Sequence, residues 1–230
     1  GIDITSFTYV SSKVLKVEID INKGANTGTR DVMVLNPDGK FGMGIEKFSV
    51  SKGPSIVSVT PYRLVQGMDN KNILITGSGF QEGFSLSFGE AGFVVNRMTY
   101  LNTEKIEVNL DVPATVSPGN YSVYIVNPDS SSASLTNYIT VEEGPTLFDV
   151  VPNLLIQGVQ KQLTLKGLNF DSDIIVVISG TGINITNTKY VDENTLIVDI
   201  TVDNDATEGF RSVSIITSDG VSVKRNEAIN

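Results

Sequence analysis

The stretch "VNPDS" at residues 126–130 has two counterparts in the chain, "LNPDG" at residues 35–39 and "ITSDG" at residues 216–220. The three stretches lie 91 and then 90 residues apart. Each follows an apolar run and consists of residues that dominate tight turns, with proline at the second position of a type I turn in two of them. Each stretch is therefore predicted to form the corner between two consecutive β-strands, closed by a left-handed residue.

A ligand site is the alternative interpretation of these stretches. The first copy ends in Gly39 where the second has Ser130, and the third has Thr217-Ser218 in place of Asn-Pro. A ligand site needs the same polar atoms in every copy, whereas a turn needs only its shape. The replacements therefore favour a corner over a binding site.

The same spacing relates landmarks along the whole chain, which indicates an internal repeat. Two sets of landmarks occur three times, namely Tyr9, Tyr100 and Tyr190, and Gly28, Gly119 and Gly209. The other half of the unit occurs twice, with "GPSIVSVTP" at 53–61 matched by "GPTLFDVVP" at 144–152, and "ILITGSGF" at 73–80 matched by "LTLKGLNF" at 163–170. The repeat predicts three domains: the C-terminal half of a module at 1–51 (the half-module), a complete module at 52–142 (the first complete module) and another at 143–230 (the second complete module).

Apolar and polar side chains alternate inside each of these units. The stretches 105–112 and 195–202 both show this alternation, and stretch 14–21 of the half-module repeats it. A period of two is typical of strands with one buried face. Short strands separated by turn residues, without a sustained helical period, predict an all-β fold of tandem immunoglobulin-like β-sandwiches arranged end to end.

The pattern of the complete modules resembles the IPT/TIG domain, an immunoglobulin-like fold of the early set type. The first complete module fits the pattern at ten positions: Pro54, Ile56, Val59, Pro61, Gly67, Gly77, Gly79, Phe80, Phe88 and Gly89. The second fits at Pro145, Leu147, Val150, Pro152, Gly158, Gly167 and Phe170, and carries Asn169 where glycine is usual. Asparagine tolerates the left-handed conformation, so the turn is expected to survive there.

The segment "TGSGF" at residues 76–80 is predicted to be a sharp turn. Its glycines permit positive φ angles, and Phe80 is expected to turn back into the core. A phosphate-binding loop is the alternative, but no Gly-Lys-Ser/Thr follows and no helix is predicted to start there. We therefore interpret the segment as structural.

The composition excludes several classes of function. The chain has no histidine and no cysteine, so Ser-His-Asp and Cys-His catalytic sites and ordinary zinc centres are impossible, as are disulfides. The net charge of −9 opposes nucleic-acid binding, which needs a basic face. No stretch is apolar and long enough to cross a membrane as a helix.

The remaining candidate sites are weak. A glycosidase-type acid–base pair needs two carboxyl groups, and the candidates in predicted loops are Asp171, Asp173 and Glu82. Nothing in the sequence indicates that any two of them lie close together. The loop 203–208 is rich in oxygen ligands that suit calcium, yet its acidity is absent from the other units. Sequons occur at Asn120 and Asn184, and they matter only in a glycosylating host. The sequence therefore predicts no catalytic, cofactor-binding or metal site, and no cofactor.

Two further features concern how the units are connected and completed. The linkers at 51–53 and 142–144 are short and run straight into proline, which predicts a semi-rigid joint. Half of a sandwich leaves an inner apolar face open to water. Two explanations stay open: the chain is a piece of a longer polypeptide, or another chain or segment supplies the absent strands by strand complementation.

These observations lead to a functional prediction with alternatives. The resemblance implies a non-enzymatic, extracellular cell-surface segment that serves as a semi-rigid stalk or an adhesion or assembly rod, with other protein modules or surface components as partners. The alternative is a glycan- or protein-binding module, including one that is accessory to a carbohydrate-active enzyme. IPT-like domains of transcription factors bind DNA, but the acidic charge and the lack of a basic loop oppose that role here.

Overall fold

The computed structural model describes residues 1–22 and 24–230. These residues form 19 β-strands and no helix, which confirms the predicted all-β class. The chain divides into two compact units, Gly1–Gly53 and Pro54–Asn230. Within the part of the chain that the structure describes, no helix is long and apolar enough to cross a membrane.

The first unit contains two separate β-hairpins. Strand β1 (Ile2–Ser11) pairs antiparallel with β2 (Val14–Ile21), and β3 (Gly28–Leu35) pairs antiparallel with β4 (Phe41–Val50). Each hairpin is a two-stranded sheet by itself. Apolar side chains alternate along these strands as in the other units, but most of them remain exposed.

Residues 54–142 form two four-stranded sheets that enclose one core. The strands are β5 (Ser55–Thr60), β6 (Arg63–Val65), β7 (Met68–Ser78), β8 (Ser85–Ser87), β9 (Val94–Asn102), β10 (Lys105–Val112), β11 (Gly119–Val126) and β12 (Ser132–Glu142). Their orders are β5-β7-β10-β9 and β6-β12-β11-β8. The core is formed by inward-facing residues of both sheets, which include Ile73, Ile75, Ile106, Val108, Leu110, Val123 and Ile125. This arrangement is a β-sandwich with alternating buried and exposed positions.

Residues 145–230 repeat the sandwich with one strand fewer. The strands are β13 (Thr146–Val151), β14 (Gln160–Leu168), β15 (Ile175–Ile178), β16 (Ile183–Asp192), β17 (Thr195–Val202), β18 (Arg211–Ile216) and β19 (Ser222–Ile229). Their sheets have the orders β13-β14-β17-β16 and β15-β18-β19. A second, separate core includes Leu163, Leu165, Leu196, Val198, Ile200, Val213 and Ile215. The two cores confirm the predicted tandem sandwiches in this part of the chain.

The turn after β7 has the predicted shape, but its two glycines have different roles. Gly79 has a φ of 70°, and Asn169 takes its place in the other sandwich with a φ of 55°. Gly77 does not adopt a left-handed conformation, which corrects the expectation for that residue; a Cβ there would lie 1.9 Å from the Ser55 carbonyl oxygen. Phe80 is buried in the core, as predicted.

The three corners also have the predicted geometry. In each corner the last residue of the stretch donates its N–H to the carbonyl oxygen of the residue three positions earlier, as Gly39 does to Asn36 over 3.0 Å. The closing residues Gly39, Ser130 and Gly220 all have left-handed φ angles, from 69° to 88°. The three stretches are therefore type I-like corners closed by a bulge residue.

Candidate interaction surfaces

In residues 54–142, the corner is fastened to the turn after β7 by one buried side chain. The Asn127 amide donates to the Gly79 carbonyl oxygen over 2.9 Å and to Ser131 Oγ over 3.1 Å. Its Oδ1 accepts the Gln81 N–H over 3.2 Å. Because Asn127 is 3% exposed, its polar atoms are satisfied by the protein rather than by solvent. The Asn127 side chain therefore links this corner to the turn after β7.

In residues 145–230, the same corner is fastened by a different residue. Thr217 replaces Asn127, and among the described residues its hydroxyl exchanges hydrogen bonds only with Val221, the residue that follows the corner. The contact across the sandwich comes instead from Asp171, whose Oδ2 accepts from the N–H and the hydroxyl of Ser218, both over 3.3 Å. The turn shape is thus kept while the atoms that secure it change.

Two carboxylates, the exposed Asp129 and the half-buried Asp199, are held in their charged form by hydrogen bonds. Side-chain and backbone hydrogen bonds from Ser131, with a further bond from Gln81, lower the pKa of Asp129. Hydrogen bonds from Gln162 and Asn187 lower the pKa of Asp199, which lies on β17 between the strands of its two partners. Both shifts arise from donors that favour the carboxylate form. The bonds of Asp199 join neighbouring strands, whereas those of Asp129 lie within its corner and reach the turn after β7, so both sets are structural.

The linker between the two sandwiches is hydrogen-bonded on both sides. Gln66 donates its N–H to the Glu142 carbonyl oxygen over 3.0 Å, and its Oε1 accepts the Gly144 N–H over 3.2 Å. From the other sandwich, Asn169 donates to the Gly144 carbonyl oxygen over 3.1 Å. A Cβ on Gly144 would lie 2.3 Å from the Gln66 carbonyl oxygen, so only glycine fits here. The linker backbone is therefore fixed to both sandwiches.

An apolar contact completes this joint. Val221, which follows the corner of residues 216–220, is 1% exposed and belongs to the core cluster of residues 54–142 rather than to its own sandwich. It lies against Gly67, where a Cβ would come within 3.0 Å of Val221 Cγ1. Val223 packs against both cores. We call the surface formed by Gln66, Gly67, Gly144 and Val221 the joint.

The matching end of the second sandwich carries a cleft. It has a volume of about 340 Å³ and is lined by apolar residues that include Leu154 and Ile156, with Glu208 and Arg211 as charged groups. Gln157 occupies the position of Gln66 and donates to the Ala206 carbonyl oxygen over 2.7 Å. Leu154 and Ile156 remain exposed, and so does the neighbouring Phe210.

The structure does not bring the candidate carboxylates into a reactive pair. Asp171 and Asp173 share one loop, where Asp171 accepts the Asp173 N–H over 2.9 Å, and Glu82 belongs to the other sandwich. Among residues 1–22 and 24–230, no group of three or more acidic residues is placed to hold a metal ion. The loop 203–208 is thus acidic without forming a ligand cluster.

The sequon asparagines and one of the three recurrent tyrosines, Tyr100, make internal hydrogen bonds. Asn120 accepts from Thr140 over 3.0 Å, and Asn184 donates to Asp203 over 3.0 Å. Tyr100 donates to the Phe80 carbonyl oxygen over 3.4 Å. Asn127 was predicted only as part of a corner, and no prediction was made for Val221, so both contacts were missed. A signal was present for Val221, because the repeat places Lys40 and Ser131 at its position, and a buried apolar residue there departs from the repeat.

The fold and these surfaces define a class of protein: tandem immunoglobulin-like sandwiches joined by a fixed linker. The IPT/TIG domain family matches residues 54–140, which confirms the resemblance that the sequence pattern predicted. Residues 144–224 match a family described as quinohemoprotein amine dehydrogenase, alpha subunit domain III. No curated protein sequence matches the chain.

Several solved structures are similar to the chain. They include the extracellular region of plexin A4 (17% identity, TM-score 0.37, 76% of this chain and 15% of that one). The Bacteroides ovatus mixed-linkage glucan utilization locus protein SGBP-B, in complex with a mixed-linkage heptasaccharide, is 17% identical (TM-score 0.33, 88% and 53%). The N-terminal eight Ig domains of the Down syndrome cell adhesion molecule are 12% identical (TM-score 0.38, 91% and 36%). The chain spans at most 53% of the length of each of these three structures.

Proposed function

We propose that this chain is a non-enzymatic spacer segment of a cell-surface protein, a semi-rigid stalk or assembly rod of tandem modules divided at 1–51, 52–142 and 143–230. The single observation that carries the proposal is the joint. A spacer transmits position only if its modules keep their relative orientation, and the joint restrains that orientation with backbone hydrogen bonds and a buried valine. Flexible linkers between independent binding domains lack such contacts.

The joint restrains the relative motion of the two sandwiches through two kinds of contact, hydrogen bonds to the linker and a buried apolar side chain. The hydrogen bonds of Gln66 fix the linker backbone at Glu142 and Gly144. The buried Val221 side chain resists separation of the sandwiches, because separation would expose apolar surface on both sides. A charge introduced at this valine therefore opens the joint without touching either sandwich's own strand pairing.

The test is the rotational motion of the two sandwiches in the full chain, measured by ¹⁵N relaxation. We expect one common correlation time for residues 54–142 and 145–230. Val221→Lys, which installs the residue found at the same repeat position in the half-module, is expected to give two different correlation times. Ser222→Lys is the matched control, because Ser222 is exposed and the added charge is the same. Separate correlation times in the unsubstituted chain would contradict the proposal.

The absence of catalysis is part of this proposal. It is supported by the lack of histidine and cysteine and by the separation of the acidic candidates between loops. Asp171 is engaged with Ser218, which further supports a structural role for this carboxylate. The chain is expected to show no turnover of any oligosaccharide in a panel with reducing-end detection. Hydrolysis that survives purification and disappears in Asp171→Asn would contradict it.

The extracellular, cell-surface location is proposed from the resemblance to modules found in surface stalks. The net charge of −9 agrees with a solvated surface that does not bind nucleic acid. Antibodies raised against residues 54–230 are expected to label intact cells of the source organism. Labelling that requires permeabilised cells would place the protein inside and overturn this part of the proposal.

A second candidate function, binding of a glycan or another protein, is favoured by the cleft at Leu154, Ile156 and Arg211. Its mixed apolar and charged lining is typical of a binding surface. A glycan array and a pull-down with the full chain test it. Phe210→Ala, beside the cleft, is expected to abolish binding, and Phe148→Ala, also exposed in the same sandwich, is the control. Binding unaffected by Phe210→Ala would exclude this cleft.

A further inference from the structure

The three corners differ in how they hold their aspartate side chains. In the half-module, the Asp38 carboxylate accepts the Lys40 N–H over 3.0 Å and lies 3.4 Å from the Lys40 ammonium nitrogen. In the first complete module, the Asp129 carboxylate accepts from the N–H and the hydroxyl of Ser131, and the Gln81 side chain donates to it over 2.6 Å. An aspartate that accepts the N–H two residues further on is a common turn device. Each of these carboxylates is therefore directed at the residue that follows its corner.

The third corner lacks this bond because another side chain accepts from the same donor. The N–H of Val221, two residues after Asp219, donates to the Thr217 hydroxyl over 3.1 Å. Among the described residues, the structure gives the exposed Asp219 carboxylate no hydrogen bond and no salt bridge. Threonine stands at 217 where the other two corners have asparagine. The Asp219 side chain is thus able to rotate against its own main chain.

The residue after Asp219 leaves the main chain open to attack on this carboxyl group. Asp219 and Asp38 are the two aspartates of the chain that precede glycine, whereas Asp129 precedes serine. Glycine has no Cβ to shield its nitrogen, and a Cβ built on Gly220 would have no other atom within 4 Å. In all three corners this nitrogen donates within the turn, as Gly220 does to Thr217 over 2.9 Å, so that bond does not distinguish them. Of the three, Asp219 alone combines a glycine neighbour with an unrestrained carboxylate.

We propose that Asp219–Gly220 is a site of spontaneous isomerisation and that the product loosens the joint. The Gly220 nitrogen attacks Cγ of the Asp219 carboxyl group, and the nitrogen's proton leaves with the carboxyl hydroxyl as water. The cyclic succinimide that results is opened by a second water molecule. Attack of that water at Cγ restores aspartate. Attack at the main-chain carbonyl carbon leaves isoaspartate, whose main chain runs through Cβ and Cγ.

Isoaspartate at position 219 changes the main chain directly ahead of the buried valine of the joint. It adds one methylene group to the backbone before Val221, which is 1% exposed and belongs to the core cluster of residues 54–142. The corner is closed by the Thr217 N–H, which donates to the Val221 carbonyl oxygen over 3.0 Å, and the longer backbone disrupts this closure. Val221 is therefore expected to leave the surface at Gly67. This second part rests on the function proposed above, since it concerns the same joint.

The site is tested by incubating the full chain in heavy-oxygen water, because each opening of the ring by water adds one heavy oxygen atom to the product. The chain is then returned to ordinary water and digested, and the peptides that contain the three corners are compared by mass spectrometry. We expect the Asp219 peptide to gain label about two- to tenfold faster than the Asp38 peptide, the factor that one hydrogen bond is worth. The Asp129 peptide should gain it most slowly. An Asp219 peptide that is labelled no faster than the Asp38 peptide would overturn the proposal.

Three variants identify the cause of the difference. Asp219→Glu keeps the charge but cannot close the same ring, so labelling of this peptide should be lost. Thr217→Val removes the hydroxyl that accepts the Val221 N–H, which leaves that N–H to the Asp219 carboxylate, and labelling should slow. Ser130→Gly, at an exposed position in the other module, gives Asp129 a glycine neighbour without releasing its carboxylate, and labelling there should stay slower than at Asp219. Equal rates at these two aspartates would show that the neighbour alone decides, and would overturn the role of the hydrogen bonds.

The effect on the joint has a separate readout, the ¹⁵N relaxation of the incubated chain. We expect two different correlation times for the sandwiches in the purified isoaspartate form, and one common time in the incubated Asp219→Glu chain. Isoaspartate at position 219 with one common correlation time would overturn the loosening of the joint. Two correlation times before incubation would contradict the proposed function, and the loosening with it, whereas the labelling result would still decide the site of isomerisation.

Discussion

The two complete modules use different residues to secure the corner between their last two strands. In the first, the corner at 126–130 is secured by the buried Asn127, which bonds to the turn after β7. In the second, the Thr217 hydroxyl bonds to the adjoining Val221, and Asp171 makes the contact across the sandwich to Ser218. The repeat thus preserves where the sandwich is fastened and not which residue fastens it.

The modules also differ in what lies at their equivalent ends. The surface around Gln66 and Gly67 of the first module is covered by Val221, whereas the surface around Gln157 in the second borders an open cleft. A position that is polar in the other units, Lys40 and Ser131, becomes a buried valine where two modules meet. Departures from the repeat therefore mark contacts between modules more clearly than its shared features do.

The largest expected effect is the loss of a core side chain in one module. Ile75→Ala and its counterpart Leu165→Ala remove fully buried side chains, and each is expected to cost about 2–5 kcal/mol of unfolding free energy. Urea unfolding followed by hydrogen exchange in each module measures the effect. Val57→Ala, an exposed position, is the control, with an expected change within about 0.5 kcal/mol. Equal costs for Ile75→Ala and Val57→Ala would contradict the assigned core.

The second-largest effect is expected at the corner of the first complete module, compared with the same corner of the half-module. Asn127→Ala leaves the Gly79 carbonyl and the Gln81 N–H without their partner in a buried site, and we expect a cost of about 1–3 kcal/mol. Asn36→Ala is the matched control, since that side chain is exposed, and no change is expected. The urea concentrations at the unfolding midpoints of the two variants, each made in the full chain, measure the difference in stability. An Asn127→Ala variant as stable as Asn36→Ala would show that this residue does not fasten the corner.

A smaller effect is expected at the second corner. Asp171→Ala removes the acceptor for Ser218, and because the site is partly exposed we expect a loss of about 0.5–1.5 kcal/mol. Asp173→Ala, in the same loop, controls for the loss of one negative charge. If the Asp173 variant loses as much stability as the Asp171 variant, the effect is one of net charge and not of the bond to Ser218.

The smallest effect is the pH dependence contributed by Asp129 and Asp199, one in each module. Hydrogen bonds lower both folded-state pKa values below the reference of 3.8. A carboxyl group whose pKa is depressed by folding stabilises the protein above its unfolded-state pKa, and this contribution is lost as the pH falls through the folded-state value. The midpoint difference between the unsubstituted chain and Asp199→Asn should therefore shrink on acidification. A difference that is independent of pH would rule out this linkage.

The sequence predicted the strands and corners because they depend on local patterns. Alternation at 105–112 and the turn residues at 126–130 act over a few residues, so they are visible without any tertiary information. The left-handed φ angles of Glu46 and Glu227, 51° and 50°, were not predictable, because glutamate has no local preference for that conformation.

The joint and the corner bonds were missed for a different physical reason. Asn127 and Gln81 lie 46 residues apart, and Val221 meets Gly67 across two modules, so both contacts exist only after the sandwiches have formed. The repeat nevertheless held partial information about them. Its prediction of a short, proline-bounded linker is consistent with the fixed backbone of Gly144, and the exposed faces of the half-module follow directly from its two-hairpin content.

The most direct test of the joint is a distance measurement between the complete modules. The chain has no cysteine, so Arg97→Cys and Lys189→Cys, both at exposed positions, place one spin label on each module without background labelling. We predict a single narrow distance distribution that Gly144→Ala broadens, because the added Cβ meets the Gln66 carbonyl oxygen. Gly42→Ala, where a Cβ meets open space, should leave it narrow. A broad distribution in the unsubstituted protein, or one that Gly144→Ala does not change, would contradict a fixed joint.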